Sequence, residues 1–101
     1  MTPPLFEVDF NELIEPDLVL LSRTDEKVES TGAIVTLREG LKVWITESDH
    51  DDQGRRDDLI ARGTAVPNTT SYGRHAKWCC RIDSRGIRPS PTYEARRHGV
   101  A

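Results

Sequence analysis

The adjacent thiols Cys79 and Cys80, with His75 four residues before the first of them, are the residues whose types most readily suggest chemistry. They lie in a stretch of alternating polarity, Ala76 to Ile82, which predicts a β-strand. Because neighbouring side chains of a strand point to opposite faces, we do not expect the two thiols to bind one metal ion. Zinc sites built from cysteine also use ligands spaced two to four residues apart. The spacing therefore argues against a zinc site.

Strand alternation gives the two cysteines different predicted neighbours. Cys79 falls on the outer face between Lys77 and Arg81, whose positive charges would stabilise a thiolate. Cys80 is expected to be a small buried hydrophobic residue beside Trp78. A thiol or redox protein that uses Cys79 is therefore the most distant of three functional hypotheses. We expect no catalytic residue and no enzyme.

An acidic segment over residues 49–54 resembles the start of a calcium-binding loop. Asp49, Asp51 and Gly54 match the first, third and sixth loop positions. The pattern then fails, because Gln53 stands at the fifth position and Ile60 replaces the bidentate glutamate at the twelfth. We expect a solvated loop here, with a weak divalent-cation site as the alternative.

Trp44 combines an aromatic ring with a basic neighbour, Lys42, on the outer face of a predicted β-hairpin, and further basic residues follow on the last predicted strand. Small β-domains that bind single-stranded nucleic acid stack bases on exposed aromatic rings beside cations. Large aromatic side chains are usually mostly buried, so we favour an arrangement in which Phe6 or Phe10 covers Trp44. The candidate binding surface consists of Trp44, Lys42, Lys77, Cys79 and Arg81.

This surface depends on a hairpin predicted over residues 31–47. A three-residue loop at residues 38–40 brings all apolar side chains to one face, whereas a two-residue loop would mix the faces. Gly40 would then adopt a left-handed conformation. The predicted facing pairs are Leu37 with Leu41, Val35 with Val43 and Ala33 with Ile45, and the second face carries Ile34, Thr36, Lys42 and Trp44.

Weaker signals complete the predicted elements. Asp9 or Asn11 can cap a short helical turn that Pro16 closes. Residues 18–21 form an apolar run that predicts a strand. Residues 59–66 favour an extended segment with a bend or bulge at Gly63, and a helical turn at 57–62 is the alternative.

Five short strands predict an all-β domain, a small five-stranded barrel or rolled sheet. The arrangement resembles an SH3-like barrel in layout alone, so it implies no activity. The alternative is an α+β fold with a helix at 9–15 or 57–62. The predicted domains are an N-terminal capping segment at 1–16, a β-barrel at 17–87 and a disordered C-terminal tail at 88–101.

The charge is unevenly distributed along the chain, although the formal net charge is only −3. Residues 1–30 carry 8 acidic and 2 basic side chains, whereas residues 61–101 carry 2 and 8. We expect a cytoplasmic protein without a membrane segment, because no long apolar run or signal peptide is present. A protein partner is favoured, because the acidic half would repel phosphates. Binding of single-stranded RNA is the alternative, and we expect no cofactor.

Overall fold

The computed structural model describes residues 3–48, 58–71 and 75–89, and all structural statements below refer to them. The strands are β1 (Leu5–Glu7), β2 (Leu13–Glu15), β3 (Leu18–Ser22), β4 (Glu26–Val28), β5 (Ile34–Thr36), β6 (Lys42–Glu47), β7 (Leu59–Pro67), β8 (Trp78–Ile82) and β9 (Arg88–Pro89). A single 3-10 turn, Phe10–Glu12, separates β1 from β2. Within these ranges no helix is long and apolar enough to cross a membrane.

Seven strands form one mixed, open sheet, and β4 and β5 form a separate two-stranded hairpin. The order in the large sheet is β1-β6-β7-β8-β3-β2, and β9 pairs with the start of β7. Only the β1–β6 pair is parallel among the described strands. The all-β prediction is confirmed. The described strands do not close into a barrel, because β1 and β2 lie at opposite edges of the sheet.

Both helices of the predicted α+β alternative are replaced by other structure. Asp9 caps the 3-10 turn, because its carboxylate accepts a hydrogen bond from the backbone N–H of Asn11 at 2.8 Å. The turn lasts only three residues, and β2 follows it directly. Residues 59–62 belong to β7. The predicted capped turn is therefore confirmed, whereas the longer helices are wrong.

The predicted pairing of residues 33–37 with residues 41–45 is wrong, because β5 pairs with β4 instead. Glu29 explains the choice, since its carboxylate accepts hydrogen bonds from the backbone N–H groups of Thr31 and Ala33 and from the Thr31 hydroxyl. Gly32 completes this turn with a φ of +93° and donates its N–H to the carbonyl of Glu29. A locally stabilised turn thus closes the β4–β5 hairpin before the chain reaches β6.

Gly40 has the positive φ that the sequence predicts, at +91°. The turn that it forms does not close the predicted hairpin, however. Leu41 donates its backbone N–H to the carbonyl of Arg38 across this turn. The carbonyl of Leu41 then accepts the N–H of Ala65, so β6 enters the sheet beside β7. The turn therefore joins the small hairpin to the large sheet.

Two apolar clusters lie on opposite faces of the large sheet, as the neighbouring residues Cys79 and Cys80 show by belonging to different clusters. The larger cluster forms the inner face and contains Phe6, Phe10, Val19, Leu21, Leu37, Val43, Ile45, Ala61, Ala65, Cys80 and Ile82. The smaller cluster contains Leu18, Leu20, Ala76 and Cys79, with Ile14 and Val66 packed against it. Strand alternation therefore produces apolar packing on both sides of β3 and β8.

The large sheet includes residues from both segments that were predicted to flank the β-barrel. Residues 5–7 of the predicted capping segment form its edge strand. Arg88 and Pro89 of the predicted tail pair with Ile60 and Leu59. The tail residues 90–101 lie outside the described residues, so the predicted disorder stays a prediction.

Gly63 occupies the middle of β7 without the predicted bulge. It pairs with Val43 on one side and with Ile82 on the other in uninterrupted register. A Cβ atom at this position would lie only 2.5 Å from the carbonyl oxygen of Arg81 and would also overlap the sulfur of Cys80. Glycine is therefore required by the close approach of β8, and not by an irregular strand.

We predict that Gly63→Ala destabilises the domain by about 3 kcal/mol, because the added methyl group must displace backbone of β8. Gly40→Ala is the matched control, since no atom lies within 4 Å of its added Cβ and only the positive φ opposes it. The control should cost about 1 kcal/mol. Urea unfolding of both variants measures the difference, and equal midpoints would contradict the tight contact.

Candidate functional site

The outer face of the large sheet carries Lys42, Trp44 and Arg81 together, and it also carries the buried Cys79. Lys42 lies directly opposite Thr64, which in turn lies opposite Arg81. Trp44 lies opposite Arg62 in the next row of the same face. Directly opposed residues in antiparallel strands point to the same side, so these five side chains share one surface. We call Lys42, Trp44, Arg62, Thr64 and Arg81 the outer patch.

Arg62 covers Trp44 and is the member of the outer patch that sequence reasoning missed. Its guanidinium carbon lies 4.7 Å from the centroid of the Trp44 ring, which is cation–π geometry. The predicted cover by Phe6 or Phe10 is wrong, because both phenylalanines belong to the cluster on the inner face. The missing signal was the β6–β7 register, which alone places residue 62 opposite residue 44. One face of the indole is therefore already occupied.

Arg81 is neutralised within its own sheet. Its Nη1 atom donates to Glu15 at 2.9 Å and to Asp17 at 2.7 Å. Glu15 and then Asp17 raise the pKa of the guanidinium above its ordinary value. Lys42, by comparison, donates its ammonium to the Thr64 hydroxyl at 3.1 Å. The outer patch thus carries less free positive charge than its composition indicates.

Lys77, the fourth candidate residue, lies just before β8 and contacts the hairpin. Its Nζ atom donates to Asp25 at 3.0 Å, and the indole N–H of Trp78 donates to the same carboxylate at 2.9 Å. The backbone carbonyl of Asp25 also accepts the N–H of Leu37. We call Asp25, Lys77 and Trp78 the hairpin clamp, because they fasten the β4–β5 hairpin to β8.

Cys79, the fifth candidate residue, is not on an exposed surface. Its exposed fraction is 0%, because Leu18, Leu20 and Ala76 surround it on the second apolar face. Burial raises the pKa of the Cys79 thiol, and the positive charge of Arg81 only partly opposes this effect. Burial raises the pKa of Cys80 to about 12. The prediction of an exposed Cys79 that forms a thiolate is therefore wrong. Strand alternation placed Cys79 on the outer face, but it did not predict that a second apolar cluster covers that part of the face.

The β4–β5 hairpin exposes apolar surface that the predicted register had placed elsewhere. Val28 and Ile34 lie directly opposite each other, with exposed fractions of 59% and 67%. Glu26 and Thr36 also lie opposite each other, two residues further along the hairpin. Side chains two residues apart in a strand point to the same face, so this pair shares a face with Val28 and Ile34. We call Glu26, Val28, Ile34 and Thr36 the hairpin face. The local signal for it was the Glu29–Gly32 turn between two short alternating segments.

The residues suggested for a calcium site, 49–54, lie outside the described residues. Within residues 3–48, 58–71 and 75–89, no group of three or more histidine, cysteine, aspartate or glutamate side chains is arranged to hold a metal ion. His75 lies near Glu12, with Nε2 and the carboxylate oxygen 3.6 Å apart. The cation hypothesis at Asp49 and Asp51 therefore stays a prediction.

Comparisons of this chain with protein-family models, with curated protein sequences and with solved structures find no significant match. The geometry of the described residues alone therefore supports the functional argument.

The hairpin clamp predicts a pH dependence. The indole of Trp78 and then the ammonium of Lys77 hold the pKa of Asp25 below its ordinary value of 3.8. The stabilisation from ionised Asp25 is therefore complete above that ordinary value and is lost as the pH falls through the folded-state pKa. We expect the Asp25 carboxyl carbon to titrate with a midpoint below 3.8 in an NMR experiment.

Trp78→Phe should raise this midpoint towards 3.8, because it removes the indole donor. Trp44→Phe is the matched control and should leave it unchanged. An unchanged midpoint in Trp78→Phe would show that the indole does not hold the carboxylate in solution.

Burial of both cysteines predicts slow thiol labelling in the folded protein. Cys79 and Cys80 should each react with a thiol reagent only when the domain opens, and both should react rapidly in concentrated urea. Serine at either position should cost about 1–3 kcal/mol, because it introduces a hydroxyl into an apolar cluster. Mass spectrometry of labelled peptides gives the two rates separately. Rapid labelling of Cys79 under native conditions would contradict its burial and show that it is exposed.

Proposed function

We propose that this protein is a non-enzymatic binding module and that its hairpin face docks an extended segment of a partner protein. The observation that carries the proposal is the exposed pair of Val28 and Ile34. Exposed apolar side chains that occur singly are normal, but these two oppose each other across a hairpin and form one continuous apolar site.

The backbone of β5 supplies the second argument. Glu29 pairs with Ala33 through one hydrogen bond, and the N–H of Leu37 bonds to Asp25. Hydrogen-bonded pairs alternate along an antiparallel hairpin, so the backbone groups of Ile34 and Thr36 point away from β4. No third strand pairs with β5 in the part of the chain that the structure describes. An extended peptide can therefore add to this edge as a further strand.

Charge indicates the composition of the bound segment. Glu26 lies on the hairpin face beside the apolar pair, and its carboxylate has no cationic partner among the described residues. A partner segment with alternating apolar residues and a nearby lysine or arginine complements this surface. The apolar residues would pack on Val28 and Ile34, and the basic residue would lie near Glu26.

The alternative function, binding of single-stranded nucleic acid, rests on the outer patch. Lys42 and the stacked pair of Trp44 and Arg62 would contact bases and phosphates there. This proposal is weaker, because Arg81 and Lys77 already hold carboxylates and Arg62 occupies one face of the indole.

We also propose that the large sheet is rolled in the manner of the SH3-like layout. Phe6, Val19 and Ile45 have exposed fractions of 0%, although the described residues contain no helical layer over the inner face. A curved sheet whose strands cover one another accounts for such burial.

Selection from a displayed library of random dodecapeptides on the purified chain tests the docking proposal. We expect enriched peptides to alternate apolar residues and to bind Ile34→Glu at least tenfold more weakly than the unaltered protein. Leu13→Glu is the matched control, because Leu13 is an exposed leucine of β2 and not part of the hairpin. It should leave peptide binding unchanged.

Amide NMR shifts locate the bound peptide, and thermal unfolding confirms that each variant folds. Shifts confined to β4 and β5 support the proposal. Equal binding by Ile34→Glu, or shifts confined to the outer patch, would overturn it. A titration with oligo-uridylate at 0.15 M salt tests the alternative, and there Arg62→Gln should weaken any binding.

A further inference from the structure

A cleft of about 390 Å³ lies on the opposite side of the β4–β5 hairpin from the hairpin face. Residues of the 3-10 turn, of the end of β3 and of β4 line it, together with His75 and Ala76. Ser22, Arg23, Thr24 and Lys27 contribute from the segment that runs from β3 into β4. This cleft is separate from both surfaces described above, and its ligand does not depend on the proposed protein partner.

Lys27 is the distinctive group of the cleft. It lies opposite Val35, which packs against the inner apolar cluster, so the stem of Lys27 is half-buried beside that cluster. Burial lowers the pKa of the ammonium, and the negative charge of Glu7 only partly opposes this effect. No acceptor for its Nζ protons occurs among the residues that the structure describes. Glu7 does not line the cleft and forms no hydrogen bond with Lys27, so a ligand oxyanion in the cleft can still accept from this partly desolvated ammonium.

The other polar groups of the cleft also leave positive charge available. The hydroxyls of Ser22 and Thr24 donate to the backbone carbonyls of Thr24 and Glu26, so they contribute acceptors and no free proton. Arg23 is exposed, and none of the described carboxylates pairs with it. Glu12 is the acid that lines the cleft, and it lies beside His75. Lys27 and Arg23 therefore remain as donors for a ligand.

We propose that this cleft binds the oxyanion group of a small molecule, a phosphate or a carboxylate, between Lys27 and Arg23. Both cationic side chains line this one concave surface, and oxyanions accept several short hydrogen bonds from such donors. The aliphatic walls formed by Leu20 and Ala76 contact the remainder of the ligand.

NMR titrations with inorganic phosphate and with acetate test this site, with sodium chloride used to hold the ionic strength constant. The Cε–Hε signal of Lys27 should shift to saturation with one of the two anions, which also identifies the class of oxyanion. The Cδ–Hδ signal of Arg85, an exposed arginine between β8 and β9, should not saturate. Shifts that stay linear with both anions, or equal shifts at Lys27 and Arg85, would overturn the proposal.

Variants separate a specific site from general charge attraction. Lys27→Gln should weaken anion binding at least tenfold, whereas Arg85→Gln removes the same charge elsewhere and should leave binding within twofold. If Lys27→Gln does not fold, Arg23→Gln provides the test from the exposed side of the cleft and should weaken binding at least threefold. Unchanged binding in a folded Lys27→Gln or Arg23→Gln protein would show that these side chains do not hold the anion.

Discussion

The close contact between β7 and β8 is the constraint on which the arrangement of the large sheet depends. Strand β7 has nine residues and pairs with β6, β8 and β9, so it joins both halves of the sheet. At Gly63 the absence of a side chain lets the carbonyl of Arg81 and the sulfur of Cys80 approach. Burial of Cys80 beneath this glycine in turn fixes which face of β8 belongs to the inner cluster.

The orientation of β8 determines which side chains line the outer face of the sheet. With Trp78, Cys80 and Ile82 directed to the inner cluster, Cys79 and Arg81 must point outward. Part of the outward side is apolar and buries Cys79, and part is charged and engages Arg81 with Glu15 and Asp17. The outward side of β8 is therefore largely satisfied internally. Among the described residues, the groups without such partners are the apolar pair Val28 and Ile34 of the hairpin and the cations Lys27 and Arg23 of the cleft.

Local signals in the sequence predicted local structure well. The all-β class, the alternation of β8, the Asp9-capped turn and the positive φ of Gly40 all follow from neighbouring residues. The pairing of strands does not, because segments 31–37 and 41–47 have equally good apolar faces for several partners. The carboxylate of Glu29, which secures its own turn, decided the pairing in favour of β4. The exposed pair of Val28 and Ile34 depends on the β4–β5 register, and the Trp44–Arg62 stack depends on the β6–β7 register. Neighbouring residues alone therefore predicted neither of them.

The parallel pairing of β1 with β6 also has a consequence for the order in which the chain folds. Residues 5–7 lie beside residues 44–46, so this pairing closes a long loop, whereas β4 and β5 meet across a short turn. Long-range pairing is entropically costly and tends to form late. Leu5 also accepts the backbone N–H of Ser30 at the hairpin turn. The amino-terminal edge strand would then be the last to dock and the first to detach in local opening, and its departure would release the hairpin turn from the sheet.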